Sequence, residues 1–432
     1  MLNTRSIAVH TLGCKLNFSE GSTITRQFTN IGFKKKDFNE GADLFIINTC
    51  SVTENADKEC KKLIRKAKDI SPESTIVITG CFAQLKPKKI SDIKGVDLVI
   101  GANEKFNIPD IIADIENKKN KKVYGCKIED LSYKSAFSLT ERSRSFLKIQ
   151  DGCDYPCTYC TIPLARGKSR SNTIEKILQE AKDIALSGTK EIVLTGVNIG
   201  DFKDPISNKR FIDLIKQLDT IEEIEQYRIS SIEPNLISND IIEFIKSSKK
   251  FSPHFHIPLQ SGSDNILGRM KRRYNTKLYK ERILNISESI NNVCIGADVI
   301  VGFPGETNED FNKTISFIKN LPLSYLHVFP YSTRENTEAK YHENQISNET
   351  KNKRSKELRT LSNKIKRNFI NSQIGSVRYA IFEENEKDDH LYGTTDNYIK
   401  VKIPFQSHYE RRKLKVQLNS IDQRGNVNCK II

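Results

Sequence analysis

Cys153-Asp154-Tyr155-Pro156-Cys157-Thr158-Tyr159-Cys160 follows directly on Phe146-Leu147-Lys148-Ile149-Gln150-Asp151-Gly152, whose short apolar run at 146–150 reads as a β-strand. Three thiolates within eight residues can wrap one iron–sulfur cluster, whereas a closed tetrahedral zinc site or an ordinary cubane takes four protein ligands. One metal corner is then left for a substrate or cofactor that chelates through amino and carboxylate groups. A zinc knuckle completed by a distant Cys or His is the alternative. Barrel enzymes keep their chemistry at the C-terminal ends of their strands, where this run falls.

Working outward, strand patterns at 146–150, 191–197, 226–232, 255–260, 297–303 and 325–331 alternate with helical patterns near 174–187, 211–218, 239–246, 276–290 and 308–320. Six strands with five helices predict a partial β/α barrel, because a complete one needs about 250 residues. Upstream, strands at 6–10, 43–48, 75–79 and 96–100 alternate with helices at 19–31, 56–70 and 87–93, which predicts a parallel sheet. Downstream, five short strand patterns (377–383, 391–393, 398–403, 413–419 and 427–432) predict a small antiparallel barrel of a kind that often binds oligonucleotides. The expected class is α/β in three parts: 1–128, 144–372 including a polar exit helix at 349–370, and 373–432. The basic run Lys118–Lys122 and the polar stretch 132–145 act as connectors.

Cys14, Cys50 and Cys81 lie 36 and 31 residues apart, so no linear motif joins them. Each nevertheless comes just after a predicted strand, and the C-terminal strand ends of an open parallel sheet share one edge. Gly13 and Gly80, each preceding its Cys, allow close backbone approach to a bulky inorganic group. Three ligands again leave one iron open. Cys60, Cys126, Cys294 and Cys429 fit neither trio and are expected to be structural, as are His254 and His256.

The chain has 432 residues, a formal charge of +15 and ten Cys. It is too long to be a short stapled scaffold, and no run approaches the ~18 apolar residues of a membrane span. The N-terminus has no apolar run followed by a cleavage site, so a soluble cytoplasmic protein without a membrane partner is expected, and clustered Cys then point to metal or redox chemistry. The excess charge favours nucleic acid. It concentrates in 269–282, with seven basic residues and one acid, and in 349–368, with eight and two; the last part is nearly balanced. There Tyr379, Phe382, Tyr392 and Tyr398 offer stacking faces to bases.

The C-x3-C-x2-C in its setting Lys148–Cys153 resembles the radical S-adenosylmethionine superfamily. With Gly13-Cys14-Lys15-Leu16-Asn17, Asn48-Thr49-Cys50-Ser51-Val52-Thr53 and Thr79-Gly80-Cys81, the whole chain resembles the methylthiotransferases. Residues 146–153 and 161–171, with Ser230-Ser231-Ile232-Glu233-Pro234 and His256–Gly262, look most like the branch acting on threonylcarbamoyladenosine at position 37 of tRNA. Related branches act on isopentenyladenosine in tRNA or on an aspartate of a ribosomal protein.

The resemblance implies two [4Fe-4S] clusters, an auxiliary one on Cys14, Cys50 and Cys81 and a radical one on Cys153, Cys157 and Cys160. It also implies two S-adenosylmethionine molecules per turnover, a TRAM-like terminal barrel, and three partners: the tRNA anticodon loop, an electron donor such as a flavodoxin or ferredoxin, and a sulfur source. Expected S-adenosylmethionine contacts are Gly196, Val197 and Asn198, although the usual Gly-Gly-Glu is absent, together with Ser231, Glu233 and Gln260; Gly302–Glu306 would shape the adenine pocket. Expected RNA contacts are Arg269, Lys271, Arg272, Arg273, Lys353, Arg354 and Tyr398. The competing class is a non-catalytic, metal-dependent RNA-binding protein.

Overall fold

The computed structural model describes residues 5–50, 54–117, 123–125, 128, 131–139, 143–387 and 389–432. The connector at 118–122, Ser51–Thr53 and Cys126 lie outside them.

Six parallel strands form the first sheet, in the order Lys34–Lys35, Ser6–Thr11, Leu44–Thr49, Thr75–Gly80, Leu98–Ile100, Val123–Tyr124. All six residues of Leu44–Thr49 are buried, because helices cover both faces of the sheet and its centre is then a continuous apolar run. One face packs Phe45, Ile47, Ile76 and Ile78 against Ile64 and Phe82; the other packs Ile46 and Val77 against Ile24 and Phe28. The first helix runs Lys15–Asn30, four residues earlier than expected. Ser19, where the expected helix began, lies inside it and donates its hydroxyl to Leu16 O at 2.8 Å.

The central part is the expected open barrel. Arg144–Lys148, Glu191–Thr195 and Gln226–Ile229 pair in parallel, as do His254–His256, Cys294–Val301 and Tyr325–Pro330. Isolated parallel bridges Tyr227–Phe251 and Ser231–His256 join the two halves into one arc. Both ends of the arc are covered. Helix Lys15–Asn30 packs on the first strand, with Phe18 edge-on to Phe146 at 5.5 Å, and helix Asn348–Gln373 packs on the last.

The terminal five strands close into a barrel in the order Val377–Lys387, His390–Thr395, Lys400–Pro404, Val427–Ile431, Lys413–Ile421. It is not wholly antiparallel, since Lys400–Pro404 and Val427–Ile431 close it in parallel through Val401 and Val427. Closure removes the edges that a short open sheet would expose. Phe382 lies in this barrel's core and is not available for stacking. Arg228 fixes the barrel to the central arc: its Nε donates to Glu191 at 2.7 Å, and its Nη atoms donate to the carbonyls of Asp396 (3.0 Å) and Thr395 (3.1 Å). Among the described residues no helix is long and apolar enough to cross a membrane.

Candidate functional site

Cys14 caps the N-terminus of helix Lys15–Asn30, Cys50 follows strand Leu44–Thr49, and Cys81 begins helix Cys81–Leu85. The strand ends bring their loops together. A Cβ on Gly13 would lie 2.5 Å from Cys50 Cβ, and one on Gly80 would lie 2.3 Å from Thr49 O, so both glycines are set by close approach as well as by φ of +96° and +95°. Asn17 Nδ2 ties the edge further, donating to Leu12 O (3.0 Å) and Thr49 O (2.9 Å).

Cys153, Cys157 and Cys160 occupy one loop at the end of the first barrel strand, and each sulfur receives an N–H. Tyr155 N donates to Cys153 Sγ and Ile162 N to Cys160 Sγ, both at 3.4 Å, and Arg272 Nη1 donates to Cys157 Sγ at 3.1 Å. Such donors suit thiolates bound to a metal. Burial pushes the unbound thiols up, Cys153 to about 11 and Cys160 to about 12, so binding displaces a proton from each. Among the described residues only His256, Asp298 and His327 bring three ligand atoms within 4.8 Å of one another. Neither cysteine trio is therefore drawn up around a single ion. A cube of four irons, with its ligands on separate corners, holds thiolates farther apart, and the three-thiol donor sets fit [4Fe-4S] clusters better than zinc.

The two trios are joined by helices. Cys81–Leu85 packs against Ile162–Arg166, which starts two residues after Cys160. Arg166 then donates to Glu20 (3.0 Å from each Nη), to Asp151 (2.9 Å) and to Asn17 Oδ1 (2.6 Å).

Between the sheet edge and the barrel top lies a cavity of about 810 Å³, lined on one side by Gly13, Cys14, Lys15 and Cys50 and on the other by Gly196, Ser231, His256, Asp298, Tyr325 and His327. Tyr398 of the terminal barrel completes the wall, at φ +69° and stacked 4.3 Å from His254. A smaller cavity of about 250 Å³ runs from Tyr159, Cys160 and Gln260 to Tyr331 and Arg334, and shares Asp298 and Phe329 with the first. Asp298 accepts from His256 Nε2 at 2.9 Å and His327 Nδ1 at 3.3 Å. Burial alone would raise its carboxyl; these two hydrogen bonds hold it well below the carboxylate range.

Gly196, Ser231 and Gln260 thus reach the cavities. Val197 and Asn198 act differently from expectation: their backbone N–H groups donate to Gln150 Oε1 at 3.0 and 2.9 Å, and the Asn198 amide donates to Asp201. Glu233 is paired with Arg272. Glu306 accepts from Gly302 N and from Arg354 (both 2.6 Å), which makes 302–306 a braced turn behind the smaller cavity, not its lining.

Two expected RNA contacts need correcting. Arg272 and Arg354 carry side chains only 4 % and 6 % exposed, each in a buried ion pair. Arg269 is half-buried, donating to Pro304 O, and Tyr398 faces the cavity. Lys271, Arg273 and Lys353 are exposed. A basic cleft that sequence reasoning missed, about 410 Å³, lies where Lys58, Lys61, Lys86 and Lys89 face Thr161 and Arg334. Lys15, Tyr325 and His327 were also missed as cavity residues; only Lys15 carried a signal, its place beside Cys14. Cys60, Cys294 and Cys429 are buried, as expected of structural thiols.

Residues 6–101 match the Uncharacterized protein family UPF0004 and residues 147–318 the Radical SAM superfamily. The chain is 38 % identical to a Threonylcarbamoyladenosine tRNA methylthiotransferase MtaB of Bacillus subtilis, over 92 % of this chain and 90 % of the relative. It is 36 % identical to the protein of that name from Aquifex aeolicus (92 % and 96 %) and 32 % identical to a tRNA-2-methylthio-N(6)-dimethylallyladenosine synthase of Clostridium botulinum (90 % of each). Among solved structures, the radical S-adenosylmethionine methyltransferase TsrM from Kitasatospora setae, with cobalamin and a [4Fe-4S] cluster bound, superposes with a TM-score of 0.58 at 11 % identity, covering 78 % of this chain and 77 % of that one, which is a likeness of fold. Cys14 and Cys50 on the larger cavity and Cys160 on the smaller one beside it, on a parallel sheet and a radical SAM arc, agree with these identities over at least 90 % of the chain, which place it in one family: it belongs to the radical SAM tRNA methylthiotransferases.

Proposed function

We propose that this enzyme methylthiolates C2 of N6-threonylcarbamoyladenosine at position 37 of tRNA. The observation that carries the reading is the single cavity onto which the Cys14 and Cys50 loops open from one side and the strand ends of the radical SAM arc from the other. The C2–H of the base is unactivated, and no side chain of ordinary pKa removes it. Cys153, Cys157 and Cys160 would hold the cluster that reduces S-adenosylmethionine to a carbon radical, and Cys14, Cys50 and Cys81 one that presents a sulfur methylated by a second S-adenosylmethionine.

The chain's own part is to hold these groups and exclude water. Gly196, Ser231 and Gln260, at strand ends on the cavity walls, are placed to contact S-adenosylmethionine. Tyr398 offers a ring face for the flipped-in base, backed by Arg228 at 5.2 Å from its centroid. The N–H donors on Cys153, Cys157 and Cys160 stabilise thiolate charge in a site that burial otherwise makes costly for it. Relatives named for threonylcarbamoyladenosine include the 38 % and 36 % matches and one from Thermotoga maritima at 32 %, and those named for dimethylallyladenosine stand at 32 % and 33 %, so the upper identities support the reading. Mass spectrometry of tRNA nucleosides from cells with and without the gene tests the reading. Loss of the methylthio nucleoside with accumulation of threonylcarbamoyladenosine is expected; an unchanged methylthio-threonylcarbamoyladenosine peak would refute it.

A further inference from the structure

We infer that Lys15 is the specificity-determining residue for the acid side chain of the substrate: its ammonium pairs with the carboxylate of the threonylcarbamoyl group, while Ser230 and His254 hydrogen-bond the neutral polar atoms of that group. The inference rests on the threonylcarbamoyladenosine reading above and deepens it.

Charge matching on the cavity wall singles out Lys15. Asp298 is already satisfied by two histidines. Glu59 lies on the exposed rim beside Lys62 at 3.6 Å. Arg228, behind Tyr398, is matched by Glu191 and two carbonyls. Lys15 lines the cavity with no hydrogen bond or ion pair to any described residue. An enclosed ammonium without a counter-charge is a standing electrostatic cost that a ligand's anion removes.

A second observation points to a ligand at the same place. Ser230 and His254 line the cavity at 8 % and 2 % exposure, and Ser230 Oγ and His254 Nδ1 are buried polar atoms without a hydrogen-bond partner. Lys15 and His254 are near enough that the Lys15 charge, after burial and Arg228, helps to hold the imidazole neutral. The wall therefore offers one cation and two neutral polar groups.

The threonylcarbamoyl substituent presents the matching set: one carboxylate, and hydroxyl and amide groups. A dimethylallyl substituent presents none of these and would leave all three wall groups unpaired, which is how polar sites reject apolar analogues. Position agrees as well. C2 and the N6-bearing carbon flank the same ring nitrogen, so a group on N6 lies within a side chain's reach of chemistry at C2, and Lys15 adjoins Cys14.

The test uses the reconstituted full-length enzyme and two anticodon stem-loop RNAs, one carrying threonylcarbamoyladenosine and one its carboxylate methyl ester. Binding by fluorescence anisotropy without S-adenosylmethionine and kcat/KM for methylthiolation are both read. Wild type is expected to favour the acid over the ester by about tenfold to a hundredfold, the value of a hydrogen bond to a charged group. Lys15→Gln should abolish that preference in both readouts by weakening the acid alone, Lys15→Arg should keep most of it, and iron content should stay at the wild-type level. The inference is overturned if Lys15→Gln retains the preference, or if it loses iron, in which case Lys15 serves the metal site. If wild type neither binds nor modifies the acid RNA better than unmodified RNA, the substrate reading itself fails.

Discussion

Arg166 and Glu20, 146 positions apart in the chain, meet in a two-pronged pair, Nη1 to Oε1 and Nη2 to Oε2 at 3.0 Å each. Glu20 also takes Lys105 at 2.6 Å and Lys148 at 3.3 Å, so one carboxylate from the first sheet's helix gathers three cations, two of them from the barrel side. This pair holds the two cysteine-bearing edges face to face.

Breaking it should separate them. Glu20→Gln leaves Arg166, Lys105 and Lys148 short of a buried counter-charge, and loss of one partner from such a pair costs about 3–5 kcal/mol. A lower melting temperature is expected, with methylthiolation falling further than cleavage of S-adenosylmethionine, because the latter needs only the barrel side. Equal losses in the two assays would count against the clamp.

The same carboxylate gives the acid limb of stability. Burial would raise it, but Arg166, Lys105 and Lys148 outweigh burial and hold it well below the carboxylate range. A group depressed on folding stabilises the native state above its unfolded pKa of about 4.3 and loses that contribution as pH falls further. Chemical unfolding between pH 7 and 3 should show wild-type stability flat at first and then declining below about pH 4.5, and Glu20→Gln should flatten that decline.

Arg272 donates a hydrogen bond to the Cys157 sulfur where the sequence pointed to an RNA contact, and the two roles separate experimentally. Its guanidinium bridges Cys157 Sγ and Glu233. Arg272→Gln should leave tRNA affinity and its salt dependence unchanged while slowing formation of 5′-deoxyadenosine by about tenfold or more, on the scale of a missing charge-assisted hydrogen bond. Weakened tRNA binding at normal cleavage would return Arg272 to the RNA footprint.

The positions of the main strands, and the placing of Cys14, Cys50 and Cys81 just after strands, were legible because each depends on local pattern, whereas the short edge strands Lys34–Lys35 and Val123–Tyr124 carry too little pattern to be read. The charged residues were misread for a physical reason. Lys351, Arg354, Ser355, Leu358 and Ser362 form the inward stripe of helix Asn348–Gln373, with helical spacing but mostly polar composition. Glu306, 48 residues away, makes Arg354 acceptable there at 2.6 Å, with Asn308 Oδ1 accepting from the same guanidinium at 2.9 Å. The Lys15 environment was illegible likewise, since Ser230, His254 and Tyr398 reach it through three separate turns of the chain.

The basic cleft shares Thr161 and Arg334 with the smaller cavity, so an RNA loop entering the site would pass its backbone across Lys58, Lys61 and Lys89. Lys86 is paired there with Glu335 at 2.9 Å; the other three lysines have no ion pair among the described residues. The double variant Lys61→Glu, Lys89→Glu should weaken tRNA binding more than Lys353→Glu, Lys356→Glu on the exit helix. It should also flatten the slope of log affinity against log salt by about 0.7–0.9 for each phosphate no longer neutralised. A larger effect from the exit-helix pair would return the footprint to that helix.

Gly80 carries the last test, because it separates the proposed roles of the two cysteine trios without touching a thiol. A Cβ there would meet Thr49 O at 2.3 Å and Thr49 N at 2.6 Å, backbone atoms that cannot swing aside, and φ is +95°. Gly32 has φ +94° with nothing within 4 Å, so Gly32→Ala reproduces the backbone strain without the crowding. Gly80→Ala should push the Cys50 and Cys81 loops apart and reduce iron from about eight to about four per chain, the content of one cubane instead of two. Formation of 5′-deoxyadenosine should persist while methylthiolation is abolished, and Gly32→Ala should keep all the iron. Full iron content in Gly80→Ala would mean that the iron does not depend on this close approach, and about four irons already in wild type would mean that the first sheet's edge carries no cluster.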